Sequence, residues 1–97
     1  MLEQEETRAI LRELPDSPGV YRFYNIEKEL IYVGKAKSLR KRVSNYFTNK
    51  TTLDQKTRSM VHRIAHVEYT LVNSEYEALL LENNLIKTNK PMIGVVS

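Results

Sequence analysis

The 97-residue sequence contains no cysteine, and this absence excludes disulfide bonds, thiolate zinc sites and cysteine nucleophiles together. No apolar run approaches the ~20 residues that a membrane-spanning helix needs, so we expect no membrane partner. The first fourteen residues are acidic and amphipathic, and they lack the basic-then-apolar order of a secretion signal. These absences predict a cytoplasmic protein.

The charges of the chain are unevenly distributed. The net charge is +3, basic residues concentrate between positions 35 and 42, and acidic residues concentrate at 3–6 and 68–82. This asymmetry is typical of a domain that binds an anionic partner with one face, although many solvated helices carry similar charges. The hydrophobic fraction of 41% predicts one folded domain with a modest core.

Apolar periodicity and turn residues divide the chain into seven elements. Helices are predicted at 3–14, 38–47 and 54–65, and a last helix follows Ser74 and ends before Pro91. Strands are predicted at 20–24, 30–34 and 67–72. The order predicts an α+β fold, in which helices cover a small, mainly antiparallel sheet.

Several local features accompany these elements. Ser74 followed by Glu77 predicts a capping box at the last helix. We expect Gly34 to end the second strand, and Tyr24 and Tyr69 to be core aromatics. The second helix is predicted to bury one apolar stripe, formed by Leu39, Val43 and Phe47.

Glu82 is the most unusual residue of the last helix. Its neighbours three and four residues away are all apolar: Ala78, Leu79, Leu85 and Ile86. A carboxylate on an apolar helix face is costly unless it is paired or binds a metal. The sequence therefore leaves two alternatives, a helix-edge glutamate paired with a basic side chain or a ligand for a hard cation such as Mg²⁺.

Tyrosines and basic residues between positions 21 and 46 are further candidates. Tyr21 and Tyr32 are either core aromatics or cleft residues that orient or deprotonate a water, for which Lys35 would supply a nearby cation. Arg42 and Tyr46 share one helix face because they are four residues apart. The basic run is either a solvated face or a set of phosphate contacts, made by Lys35, Lys37, Arg40 and Lys41.

Two tripeptides, "GVY" at Gly19–Tyr21 and "YVG" at Tyr32–Gly34, resemble the paired motif of the GIY-YIG nuclease superfamily. The segments "LPDSPGVYRF", "LIYVGKAKSLRKRVSNYF" and "EALLLENNLIK" resemble its UvrC branch, the excision-repair endonucleases. The resemblance covers about residues 10–91 of a single domain spanning 1–97. It implies a three-stranded antiparallel sheet flanked by helices.

The same resemblance implies an activity and its partners. Domains of this kind hydrolyse one DNA phosphodiester bond on the 3′ side of a lesion, with a single divalent metal, Mg²⁺ or Mn²⁺. The substrate is damaged duplex DNA, and a UvrB-type partner loads the nuclease onto it.

The resemblance also assigns roles by position. Glu82 matches the metal-binding glutamate, Arg42 the arginine that clamps the scissile phosphate, and Tyr32 the general base or water-orienting group. The remaining matches are a motif tyrosine, a lysine that assists Tyr32 and a further active-site tyrosine, at Tyr21, Lys35 and Tyr46. Contacts to the DNA backbone are expected from Lys37, Arg40 and Lys41.

The tail at 92–97 departs from the family pattern. Ile93 stands where the family has tyrosine, and Gly94 stands where it has an active-site asparagine. The chain also lacks the further nuclease, DNA-binding and partner-binding domains of that branch, so it is either a piece of a longer protein or a stand-alone relative. Two alternatives to the nuclease remain, a catalytically weak DNA-binding module and a protein-interaction domain.

Overall fold

A computed structural model describes residues 3–48 and 53–89 of the chain. The elements are α1 (Gln4–Glu13), β1 (Gly19–Tyr24), β2 (Leu30–Ala36), α2 (Leu39–Thr48), α3 (Gln55–Arg63), β3 (His66–Leu71) and α4 (Glu75–Asn89). The predicted order of helices and strands is confirmed. In this part of the chain no helix combines the length and apolarity required to cross a lipid bilayer.

The three strands form one antiparallel sheet in the order β2-β1-β3, which places β1 at the centre. Tyr21 of β1 lies opposite Gly34 of β2 and opposite Tyr69 of β3, and Phe23 lies opposite Tyr32. Directly opposed residues project from the same face of a sheet. One face therefore carries Tyr21, Phe23 and Tyr32.

Two apolar clusters hold helices against the two faces of the sheet. The larger cluster joins Tyr21 and Phe23 to buried side chains of α2 and α3, among them Leu39 and Val43. The smaller one joins the opposite face to α4, through Val20, Leu30, Val33 and Ala78. This alternation of buried side chains along β1 follows the period of two of a strand. The predicted α+β fold, with helices on both faces, is confirmed.

The connection between β1 and β2 is a turn organised by Asn25. The Asn25 side chain is buried, and its Oδ1 accepts hydrogen bonds from the backbone N–H groups of Glu27 and Glu29, at 3.0 and 2.9 Å. Its Nδ2 donates to the Glu29 carboxylate at 2.9 Å. Lys28 adopts a φ of 65°, in the left-handed region that closes the turn. Side-chain bonding thus fixes a turn that has no two-residue hairpin signature.

Two local predictions differ from the structure. Tyr69 is 39% exposed rather than part of the core, because β3 is an edge strand and the helices pack mainly against β1 and β2. Tyr24 is half-buried beside the α4 cluster. At the start of α4, the Ser74 Oγ accepts the N–H of Glu77 as expected, but the Glu77 carboxylate accepts the N–H of Asn73 rather than that of Ser74.

Candidate active site

A pocket of about 560 Å³ lies beside the edge strand β2, where α2 and α4 approach the sheet. The strands contribute Tyr21, Tyr32 and Lys35 to its wall, α2 contributes Arg42, and α4 contributes Glu82. These five side chains come from segments far apart in sequence. The fold thus brings together most of the predicted site residues. The other lining residues are Pro18, Gly34, Ala36, Lys37, Ser74, Glu75 and Ala78.

Glu82 is a buried carboxylate in this wall. The residue is 1% exposed, and among the residues that the structure describes neither Oε1 nor Oε2 has a hydrogen-bond partner. Burial raises the pKa of this carboxyl, and the positive charge of Lys35 lowers it in part. A buried polar atom without a partner costs about 1–3 kcal/mol, and a charged one costs more. Among the described residues Glu82 forms no ion pair within 4.0 Å, so the structure favours the second alternative, a cation ligand, over a helix-edge ion pair.

The donor set around Glu82 fits a hard cation that binds together with substrate. Mg²⁺ is commonly held by one or two carboxylates, with waters and substrate phosphates completing its coordination. Within residues 3–48 and 53–89, no three or more His, Cys, Asp or Glu side chains cluster closely enough to hold a metal. A cation here would thus have Glu82 as its carboxylate ligand, with water and phosphate oxygens beside it.

Three tyrosines form a contiguous group, of which Tyr21 and Tyr32 line the pocket and Tyr46 does not. The hydroxyls of Tyr21 and Tyr46 are hydrogen-bonded at 2.9 Å. The Tyr32 ring lies 6.2 Å from the Tyr21 ring and 6.3 Å from the Tyr46 ring, between centroids. Burial raises the pKa of both Tyr21 and Tyr32, the neighbouring Tyr46 raises it further, and Arg42 lowers it in part. In the absence of a bound cation the Tyr21 and Tyr32 hydroxyls are therefore neutral at physiological pH.

Gly34 permits this arrangement through its missing side chain. A Cβ atom at this position would lie 2.3 Å from both Cζ and Oη of Tyr21, a separation that non-bonded atoms cannot adopt. The prediction that Gly34 ends the second strand is wrong. Strand β2 continues to Ala36, and Gly34 pairs with Tyr21 within it. The glycine is required for close approach of the Tyr21 ring rather than for a turn.

The basic run divides between the two flanks of α2. Lys37 lines the pocket and forms an ion pair with Glu75 at 3.3 Å, with both side chains mostly exposed. Lys41 is exposed and lowers the pKa of Asp16, to a smaller extent than the Ser38 hydroxyl does. Arg40 lies on the other flank, where its Nε donates to the Leu14 carbonyl at 2.9 Å. Arg40 is therefore not brought to the pocket with the other predicted site residues.

Sequence reasoning missed Glu75 and Ala78 as lining residues. Glu75 precedes Glu82 by seven residues, which places the two on the same helix face two turns apart, so this spacing was a usable signal. Ala78 lies between them on that face and is buried. Its small side chain leaves room between α4 and the sheet. The departures at Ile93 and Gly94 fall outside the described residues.

Comparison with known proteins places these features in one family. The family model of the UvrC-like GIY-YIG domain matches residues 17–95. The UvrABC system protein C of Cytophaga hutchinsonii is 79% identical over 96 residues, which cover 99% of this chain and 16% of that protein. The corresponding protein of Bacteroides thetaiotaomicron is 52% identical, over 95% of this chain and 15% of its own length. The chain thus spans about a sixth of the length of these curated relatives.

Solved structures agree with the sequence comparison. The N-terminal GIY-YIG endonuclease domain of UvrC from Thermotoga maritima, bound to its catalytic divalent cation magnesium, has a TM-score of 0.79 at 34% identity, and the match covers 93% of this chain and 97% of that one. A point mutant of the same domain, also bound to its catalytic divalent cation, matches with the same TM-score over 96% of its length. This chain belongs to the family of UvrC-like GIY-YIG domains.

Proposed function

We propose that this chain is a divalent-metal-dependent endonuclease domain that hydrolyses a phosphodiester bond of DNA in the pocket beside β2. The observation that carries the proposal is Glu82, a buried carboxylate without a hydrogen-bond partner in the wall of a pocket that also contains Arg42 and Tyr32. Such an arrangement destabilises the unliganded domain and is compensated when a cation and a phosphate enter. It is what a metal-assisted phosphodiesterase requires.

The cation would be held by Glu82, water and the substrate. Mg²⁺ suits an all-oxygen set with a single carboxylate, and Mn²⁺ favours the same ligand types. When bound, a divalent cation stabilises negative charge on the attacked phosphate and on the leaving oxygen. Lys35, which lowers the pKa of Glu82, helps to keep the carboxylate ionised and available as a ligand.

Arg42 is proposed to clamp the scissile phosphate. Its guanidinium lines the pocket from α2, opposite the helix that carries Glu82. A guanidinium grips two phosphate oxygens at once and stabilises the charge that develops on them in the transition state. Because Arg42 is exposed, it can meet a DNA backbone without rearrangement of the core.

Tyr32 is proposed to act on the attacking water, with Tyr21 and Tyr46 holding its surroundings. As a neutral phenol, Tyr32 can orient the water by accepting a hydrogen bond through its hydroxyl oxygen. Taking a proton from that water requires the phenolate, which the positive charges of Lys35 and Arg42 favour. The water would give one proton to the Tyr32 phenolate or to solvent as its oxygen bonds to phosphorus. The bond from phosphorus to the leaving oxygen would then break, and that oxygen would take up a proton from solvent water.

Within a longer protein of this family, we propose that the domain makes the 3′ incision in damaged duplex DNA. One folding unit over 1–97, with its core at about 10–91, would carry the chemistry. A UvrB-type partner would deliver it to the lesion in the cytoplasm. Lys37, which lines the pocket, and Lys41, which is exposed on α2, would contact phosphates of the DNA backbone. Gly94, at the family's asparagine position, favours one alternative, a catalytically weak module that binds DNA.

The test is nicking of supercoiled DNA with Mg²⁺ or Mn²⁺, measured for the unchanged chain and for Glu82→Gln and Arg42→Ala. We expect a loss of about a thousandfold for Glu82→Gln, equivalent to several kcal/mol of metal assistance, and about 10²–10³-fold for Arg42→Ala. Glu13→Gln and Arg58→Ala, exposed residues that do not line the pocket, are the matched controls. Nicking that needs no metal and survives both site changes would overturn the proposal.

A thermal-shift measurement separates metal binding from turnover. Mg²⁺ should raise the melting temperature of the unchanged chain and of Arg42→Ala, but not that of Glu82→Gln, because a ligand that binds only the folded state stabilises it. Salt-sensitive DNA binding without any nicking would instead support the weak DNA-binding module.

A further inference from the structure

A groove of about 530 Å³ between α1 and α2 has a basic lining. Arg8 and Arg12, one turn apart on α1, form one wall, and Arg40 and Ser44, one turn apart on α2, form the other. Leu11 completes the lining. Three of the five lining residues are thus arginines, and no carboxylate residue lines the groove.

The guanidinium of Arg40 is held in place at the end of α1. Its Nε donates to the Leu14 carbonyl at 2.9 Å, and the Arg40 backbone N–H donates to the Pro15 carbonyl at 3.1 Å. An arginine has five N–H donors, and the bond to Leu14 uses one of them. The other four are shared between a ligand and Asp16, a nearby carboxylate on which the Arg40 charge acts. This preorganisation lowers the entropy lost when an anion binds.

Arg8 and Arg12 add two positive charges that form no ion pair with the described residues. Across residues 3–48 and 53–89, neither makes an ion pair within 4.0 Å, and both are exposed. Glutamates occur on α1 too, but none lines this groove. Arg8 and Arg12 lie across the groove from Arg40, and like charges at this spacing repel, so a polyanion between the two walls lowers the repulsion.

We propose that this arginine groove binds the phosphate backbone of the DNA strand opposite the one that is cut, an inference that rests on the proposed function because it places duplex DNA at the pocket. Arg40 and Arg42 are two residues apart, which rotates them by about 200° around the α2 axis. The groove and the pocket therefore lie on opposite flanks of one helix.

The width of a helix agrees with the spacing of two DNA backbones. An α-helix with its side chains is about 10–12 Å across, and the major groove of B-DNA is about 12 Å wide. With one strand at Arg42, the opposite backbone lies at the arginine groove. The exposed Lys41 then faces the DNA groove between them.

The lining favours nucleic acid over an acidic protein segment. Protein interfaces gain much of their affinity from aromatic and other large apolar anchors, whereas this groove offers one half-buried leucine, Leu11, beside its arginines. Guanidinium groups match phosphate oxygens bidentately. A repeating phosphate backbone therefore fits better than a folded protein surface.

The test measures DNA binding in EDTA, which removes divalent metal and prevents cleavage. The binding result can therefore be interpreted even if the proposed nuclease activity is absent. The Arg8→Gln/Arg12→Gln variant is compared with Arg58→Gln, an exposed arginine of α3 outside the groove. A short duplex and one of its single strands are titrated by fluorescence anisotropy over a range of salt concentrations. Circular dichroism checks folding, and glutamine preserves helix propensity at these positions.

For the double variant we expect duplex affinity to fall about tenfold at low salt, with the salt slope reduced by about two, one per lost phosphate contact. Single-strand affinity should change much less. An Arg8→Lys/Arg12→Lys variant, which keeps the charges, should restore most of the slope. Unchanged duplex binding, equal losses for duplex and single strand, or displacement of the duplex by poly-glutamate at matched charge would each overturn the proposal.

Discussion

Two buried polar side chains, Asn25 in the turn between β1 and β2 and Glu82 of α4 at the pocket, differ in their hydrogen bonding. At the turn, Asn25 is 8% exposed and both ends of its amide are hydrogen-bonded within the same loop. At the pocket, Glu82 is 1% exposed and, among the described residues, has no hydrogen-bond partner. Burial of either side chain costs free energy, but only for Asn25 do hydrogen bonds within the described residues offset that cost.

The difference separates a structural polar residue, Asn25, from Glu82, which we propose binds a cation. The Asn25 side chain bonds backbone N–H groups of the five-residue turn that would otherwise lack a partner. Its contribution to the stability of the fold therefore needs no ligand. Glu82 lies between α4 and the sheet, and its carboxylate has no hydrogen-bond partner within residues 3–48 and 53–89. Substitution of Asn25 should therefore lower stability without changing the turnover rate, whereas substitutions at the pocket should lower the turnover rate without lowering stability. Four predictions test this contrast.

The largest expected effect is on turnover. Tyr32→Phe removes the hydroxyl proposed to act on the water and should lower the nicking rate by about 10²–10⁴-fold, the range of general acid–base contributions. Asn25→Ala should leave the turnover number unchanged at a temperature where it remains folded. Equal loss of turnover in the two variants would remove the distinction between the turn and the pocket.

The second effect is on stability without divalent metal. Asn25→Ala deletes three hydrogen bonds and should lower the free energy of unfolding by about 2–3 kcal/mol, at about 1 kcal/mol each. Glu82→Met keeps a similar shape without the charge and should raise it by about 1–3 kcal/mol at pH 7. Urea unfolding in EDTA measures both, and destabilisation by Glu82→Met would contradict the assignment of an uncompensated charge.

A smaller effect is the pH dependence of that gain. The pKa of Glu82 is raised in the folded state, so stability from its protonated form is fully present below the unfolded pKa of about 4.3 and is lost as pH rises through the folded value. The advantage of Glu82→Met should therefore grow across this window. The surface carboxyls with lowered pKa, Asp16, Glu29 and Asp54, act in the opposite direction and cancel in the comparison.

The smallest effect concerns Lys35. Its charge lowers the pKa of Glu82, so Lys35→Met should raise that pKa further, as followed by the Glu82 carboxyl carbon in an NMR titration. Lys37→Met is the matched control, because Lys37 pairs with the exposed Glu75 instead. A larger shift for Lys37→Met than for Lys35→Met would show that the charges at the pocket are arranged differently.

Some features of this molecule could be predicted from the sequence and others could not. Leu39, Val43 and Phe47 were predicted to be buried from helical spacing alone. Leu39 and Val43 are fully buried and Phe47 is half-buried, because periodicity shows which side of a helix is apolar but not how completely it is covered. Tyr69 was misjudged, since alternation in a strand does not say whether the strand is central or at an edge. Gly34 was misjudged because its role depends on a ring from the neighbouring strand.

The sequence by itself determined the order of elements, the apolar faces and the candidacy of Glu82, because these depend on neighbours within a few residues. It also carried the family resemblance that the comparisons bear out. Only the tertiary structure decided that Glu82 has no hydrogen-bond partner in the described part of the chain, that Tyr21 needs Gly34 and that Arg40 faces away from Arg42. Each of these depends on distances between segments remote in sequence, which packing of the sheet against its helices sets.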